Sequence, residues 1–179
     1  MTNVTQADPM LQRMVGALRL DRAIYEEVEK DKNATGQAAF IVVATSAVAG
    51  GVSYVLTRVG DAGDGLLGAI GALIGWAAYA WFAYFLGTRL FPARETKADW
   101  GEVARTLGFA STARFLYVFA LIPGLAGLVQ LVVGLWVLIA TVVALQTALD
   151  CSLLRAIVIG LAASILQGII FAIALSAFV

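Results

Sequence analysis

Histidine is absent from the 179-residue sequence, cysteine occurs once, proline three times, and charged residues make up only 13%. Without histidine there is no imidazole acid–base chemistry, no Ser-His-Asp triad and no His-ligated metal or haem. The lone Cys151 excludes an intramolecular disulfide and a cysteine-cluster metal site. Charge of neither sign predominates, with 12 Lys and Arg against 12 Asp and Glu, so there is no electrostatic footprint for nucleic acid. No cofactor and no metal is expected. What the chain does have is apolar: 61% of its residues are hydrophobic and the mean hydropathy is +0.89. Soluble domains have about half their residues apolar and about a quarter charged. This composition is that of an integral membrane protein.

Apolar residues recur at helical spacing from Leu11 to Glu29 (Leu11, Met14, Leu18, Tyr25, Val28), with Arg13, Arg19, Arg22, Glu26 and Glu29 between them. This reads as an amphipathic helix on the membrane surface or on the bundle. The first long apolar run begins near Ala38, behind a polar stretch too long for the n-region of a cleavable leader, so the first span is expected to act as its own insertion signal. The expected fold is all-α. A cytoplasmic segment (1–37) precedes a bundle (38–179) of about five transmembrane helices, placed at 38–56, 66–86, 107–122, 126–149 and 156–178. A glycine-rich turn at Arg58–Asp64 separates the first two spans, a polar loop at 89–106 follows the second, and Pro123-Gly124 turns between the third and fourth. Eleven of the 12 Lys and Arg residues then fall on one side of the membrane and only Arg58 on the other. The positive-inside rule places the N-terminus in the cytoplasm and the C-terminus outside.

Small residues form stripes in span 2 (Gly68, Gly71, Gly75), span 4 (Gly127, Gly134) and span 5 (Gly160, Ser164, Gly168). Such stripes permit close helix approach, and packing within one chain is the expected use. Asp61 and Asp64 are too few for a calcium cage and read as a plain turn. Candidate contacts for partners or lipids are Arg19, Arg22, Arg94, Lys97, Arg105 and Arg114. Arg114 stands out because an ionisable group at depth is costly, with snorkelling toward the headgroups as its ordinary explanation. Gln130, Thr141 and Gln167 are the candidate intramembrane polar residues. No carboxylate falls at mid-membrane, which weighs against an ion-coupled carrier.

Three stretches carry a family resemblance. They are Leu18 to Val28 with Asn33 to Ala38, Leu107-Gly108-Phe109-Ala110-Ser111, and Leu135 to Ile139 with Ala148-Leu149-Asp150 and Leu154 to Ile157. In these the chain resembles bacterial members of the Yip1 family of small multi-span membrane proteins. Phe109 stands where the family usually has tyrosine, Thr112-Ala113 where a proline is common, and Gln146 at an often basic position. The resemblance implies five spans, a cytoplasmic N-terminus and a short external C-terminus. Eukaryotic relatives bind prenylated GTPases, but the acidic aromatic motif they carry is not evident here, so that partner does not carry over.

Two classes of function fit. The first is a non-enzymatic scaffold or adaptor that binds partner proteins or lipids at the cytoplasmic face, with an accessory subunit of a larger membrane complex as a variant. The second is a small transporter or channel that uses the Gly127/Gln130/Gly134/Thr141 face with Arg114 at its mouth. Membrane lipids, other membrane proteins or a second copy are the expected partners. Without a nucleophile–base pair, an enzyme is not expected.

Overall fold

The computed structural model describes residues 9–58, 64–92 and 98–176, and among these the regular structure is entirely helical. Seven α-helices follow one another: α1 (Pro9–Leu18), α2 (Arg22–Lys30), α3 (Ala34–Thr57), α4 (Asp64–Phe85), α5 (Trp100–Ala110), α6 (Ala126–Ala148) and α7 (Leu153–Ser176). A π turn, Leu86–Leu90, prolongs α4, and a 3₁₀ helix, Ser111–Leu121, prolongs α5. Four helical segments are long and apolar enough to cross a bilayer: Ala34–Thr57, Leu66–Leu90, Ala126–Ala148 and Leu153–Ile173.

The amphipathic stretch expected as one helix is two. Asp21 ends the continuity: its carboxylate accepts from the Ala23 N–H at 3.0 Å and caps α2. Leu20, at φ 61°, makes the left-handed turn out of α1. The two helices fold back on each other, and Arg13 of α1 bridges Glu27 and Asp31 at 2.8 Å each. Tyr25 and Val28 of α2 are fully buried in the same core as Ile41, Val103 and Leu145. The N-terminal helices thus contribute to the bundle core.

The third expected span also differs. Its helix begins at Trp100, not Leu107, because Asp99 and Glu102 form a reciprocal cap: the Glu102 N–H donates to Asp99 at 2.9 Å and the Asp99 N–H to Glu102 at 2.7 Å. Val103 to Ala110 are buried without interruption, since α5 runs through the middle of the bundle and packs on α1, α2, α3, α4 and α6. At Ser111 the helix tightens into the 3₁₀ form. At ~1.5 Å per α residue and ~2.0 Å per 3₁₀ residue, the continuous rod Trp100–Leu121 is about 38 Å long. Its 3₁₀ half lies chiefly between α3 and α6, while α7 packs on α4 and α6. The rod thus parts from α4 along its second half.

The small-residue stripes are used less within the chain than expected. A Cβ placed at Gly68, Gly71, Gly127, Gly134 or Gly168 would meet nothing within 4 Å. The close approaches are elsewhere, as at Gly108, whose added Cβ would lie 2.5 Å from the Cβ of Ala38.

Candidate functional site

Two regions gather the polar chemistry. The first is where α2 lies across the N-terminal end of α5 and the C-terminal end of α6. Arg105, on central α5, is only 5% exposed. Its Nε donates to the Val28 and Glu29 carbonyls at 3.1 and 3.0 Å, and its Nη2 also donates to Glu29. These carbonyls belong to the last turn of α2, which has no helical partners of its own and bears partial negative charge. The sequence places Arg105 among the partner-contact residues. The structure instead engages its fork inside the molecule, as the clamp of α2. Nearby, burial and the charges of Glu102 and Asp150 raise the Glu29 carboxyl to about 7. Asp31 is held below the ordinary carboxylate range by its bond to Arg13, helped by the Asn33 N–H.

Arg19 and Arg22 stay exposed, though Arg22 donates to the Gln146 side chain at 3.2 Å. Glu26, Glu27, Lys30 and Lys32 are exposed beside them. Arg94, Lys97, Asp61 and most of the expected Arg58–Asp64 turn lie outside the described residues.

The second region is a cavity of about 350 Å³ near the middle of the rods. All five rods contribute to it: Val42 from α3, Gly75, Trp76 and Tyr79 from α4, Ser111 and Arg114 from the α5 rod, Thr141 from α6, and Ser164 and Gln167 from α7. It occupies the gap left where the 3₁₀ half parts from α4. Most of its hydrogen-bond donors are already engaged. Trp76 Nε1 donates to Ala104 at 2.9 Å and Tyr79 Oη to Gly160 at 3.1 Å. The hydroxyls of Ser111, Thr141 and Ser164 donate to the carbonyls of Leu107, Val137 and Gly160 at 3.2, 2.8 and 2.9 Å. Gln167 Nε2 donates to Gly75 at 2.7 Å, tying α7 to α4. Arg114 forms no hydrogen bond or ion pair among the described residues, and no acidic residue lines the cavity.

A second cavity, of about 380 Å³, lies toward the opposite end between α3, the 3₁₀ helix and α6, with Ser53, Thr57, Tyr117, Ala120 and Gln130 in its lining. The single face expected to carry Gln130 and Thr141 together is therefore divided between two cavities, and Arg114 and Gln167 join Thr141 alone. What connects the cavities is the 3₁₀ helix. In that geometry residues three apart eclipse, so Ser111, Arg114, Tyr117 and Ala120 share one edge, the first two on the central cavity and the last two on the other. An α-helix would turn each of them by about 60° from the one before. Tyr79, Trp76 and Ser164 had no signal as site residues in the sequence, where they read as ordinary span residues. Among the described residues no cluster of His, Cys, Asp and Glu could hold a metal ion.

The family described as Yip1 domain matches residues 16–175 of the chain. No curated protein and no solved structure matches it.

Proposed function

The chain belongs to the Yip1 family of multi-pass membrane proteins, and from that premise we propose that it is a non-enzymatic scaffold that binds partner proteins or lipids at its cytoplasmic face. In this reading the chain crosses a bacterial-type inner membrane five times, the Trp100–Leu121 rod being the crossing less apolar than the rest. Eleven of the 12 Lys and Arg residues lie on the N-terminal side, which is the cytoplasmic side by the positive-inside rule.

The observation that carries the reading is the seating of α2. Tyr25 and Val28 are buried, Arg105 holds the C-terminal carbonyls, and Arg22, Glu26, Glu27 and Lys30 remain exposed on the opposite side. An amphipathic helix fixed in this way presents a charged face at little ordering cost, which favours recognition. Native mass spectrometry of the full chain, gently extracted at low detergent, tests it. A stoichiometric foreign subunit or retained anionic lipid is expected, lost in the Arg19→Glu/Lys30→Glu variant while the thermal midpoint holds. Identical spectra for both proteins would overturn the reading. A foreign subunit that survives the charge reversal would favour an accessory subunit docked through the spans.

A second reading, a small transporter or channel, draws on the two cavities that share an edge of the 3₁₀ helix. Gln130→Leu separates it from a scaffold: liposome flux would fall in a conducting protein, while partner binding would be untouched.

A further inference from the structure

The central cavity raises a question of charge balance. Arginine stays protonated in proteins and offers five donors in a planar fork. Within a bilayer such a group is costly unless it is paired or hydrogen-bonded. Here the other polar side chains of the wall direct their donors to main-chain carbonyls, leaving the guanidinium of Arg114 as the donor set without a partner among the described residues. No carboxylate among the described residues lines the wall to neutralise it. A cation would be repelled and a neutral apolar molecule would leave the charge uncompensated, whereas an oxyanion supplies both charge and a pair of acceptor oxygens for the fork.

We propose that this cavity is an oxyanion-binding site whose charged ligand is Arg114, taking a phosphate or carboxylate group. The volume of about 350 Å³ corresponds to on the order of ten waters, room for a tetrahedral oxyanion with part of its hydration shell. The 3₁₀ form of Ser111–Leu121 is part of the device. It stacks Arg114 on the same edge as Ser111, which already lines the cavity. The oxyanion has two sources, a lipid headgroup entering between helices or a free anion, and the chemistry recognised is the same.

The full chain is purified and placed in phosphatidylcholine nanodiscs, alone or with phosphatidic acid, and separately titrated with inorganic phosphate and with acetate. Binding is read by native mass spectrometry and by the rise in thermal midpoint. Wild-type protein is expected to bind at least one probe. Arg114→Gln should weaken that binding at least about tenfold, the loss of a charge-assisted bond, while Arg155→Gln, at an exposed position of α7, should leave it within about twofold. Protection by phosphatidic acid alone identifies a lipid headgroup, and protection by phosphate or acetate a free anion. Thr141→Leu, which fills the cavity without touching the charge, should abolish binding and serves if Arg114→Gln does not fold. No binding of any probe by the wild type, or equal binding by wild type, Arg114→Gln and Thr141→Leu, would overturn the proposal.

Discussion

Arg105 and Glu29 meet through the main chain: the guanidinium donates to the Glu29 carbonyl, with Nε at 3.0 Å, and so closes the end of α2 onto the centre of the bundle. The pairing of a buried cation with a helix C-terminus explains how an arginine only 5% exposed is accommodated with no carboxylate partner among the described residues.

Replacing Arg105 should therefore release α2 rather than unfold the spans. Arg105→Leu leaves two main-chain carbonyls without their donor, a loss of about 2–3 kcal/mol. Hydrogen exchange should rise across residues 22–30 with the amides of α6 unchanged. Arg105→Lys, a point donor in place of a fork, should fall between the two. Protection of α2 equal to wild type in Arg105→Leu would contradict the clamp.

Glu29 gives this region a pH dependence. Its folded carboxyl, raised by burial and by Glu102 and Asp150, titrates near 7 against 4.5 ordinarily. Between those values the folded protein holds a proton that the unfolded chain has released. Stability is then fullest below the lower value and falls as pH rises toward the upper one. Thermal midpoints in detergent from about pH 5 to about pH 8 should show this fall. Glu29→Gln should flatten it and melt higher than wild type at the alkaline end.

The change from α to 3₁₀ at Ser111 leaves a mark on Thr112. Thr106 and Ser111 return their hydroxyls to carbonyls of the preceding turn, Thr106 at 3.0 Å from Val103 and Ser111 at 3.2 Å from Leu107. The buried Thr112 hydroxyl has no partner among the described residues. Thr112→Val keeps the shape and removes the unsatisfied group, and should stabilise the protein by up to about 1 kcal/mol, seen as a higher thermal midpoint.

Two glycine substitutions should part company. Gly108→Ala puts a methyl group 2.5 Å from the Ala38 Cβ and 3.0 Å from its Cα. Helices α3 and α5 would have to separate, at a cost of about 1–3 kcal/mol. Gly168→Ala, with nothing within 4 Å, should not lower the midpoint. Equal losses in the two variants would mean that the Gly168 face is packed against another chain.

Several of these features were legible in the residues themselves. Asp99-Trp100-Gly101-Glu102 has the spacing of a capping box, and it moves the start of the third rod to Trp100 where apolarity alone pointed to Leu107. Asp21, at the foot of α2, is likewise an ordinary N-cap signal. Arg105 was not legible. In sequence it is one more charge in a polar loop, and only the docking of α2 onto α5 turns it inward. Gln167 could be identified as a polar residue in a span, but its bond to the Gly75 carbonyl depends on how α7 settles on α4.

By itself the sequence determined the membrane class, the helical content and most of the long apolar helices. These follow from composition and local periodicity, which act residue by residue through transfer of side chains and backbone between water and lipid. The tertiary structure decided which arginines are free and where the bundle is hollow. It also decided that Ser111, Arg114, Tyr117 and Ala120 share an edge, since 3₁₀ and α geometry differ little in local preference and packing against α3 and α6 selects between them. Donors become engaged or left over only when distant carbonyls arrive beside them, and that arrival is a property of the assembled bundle.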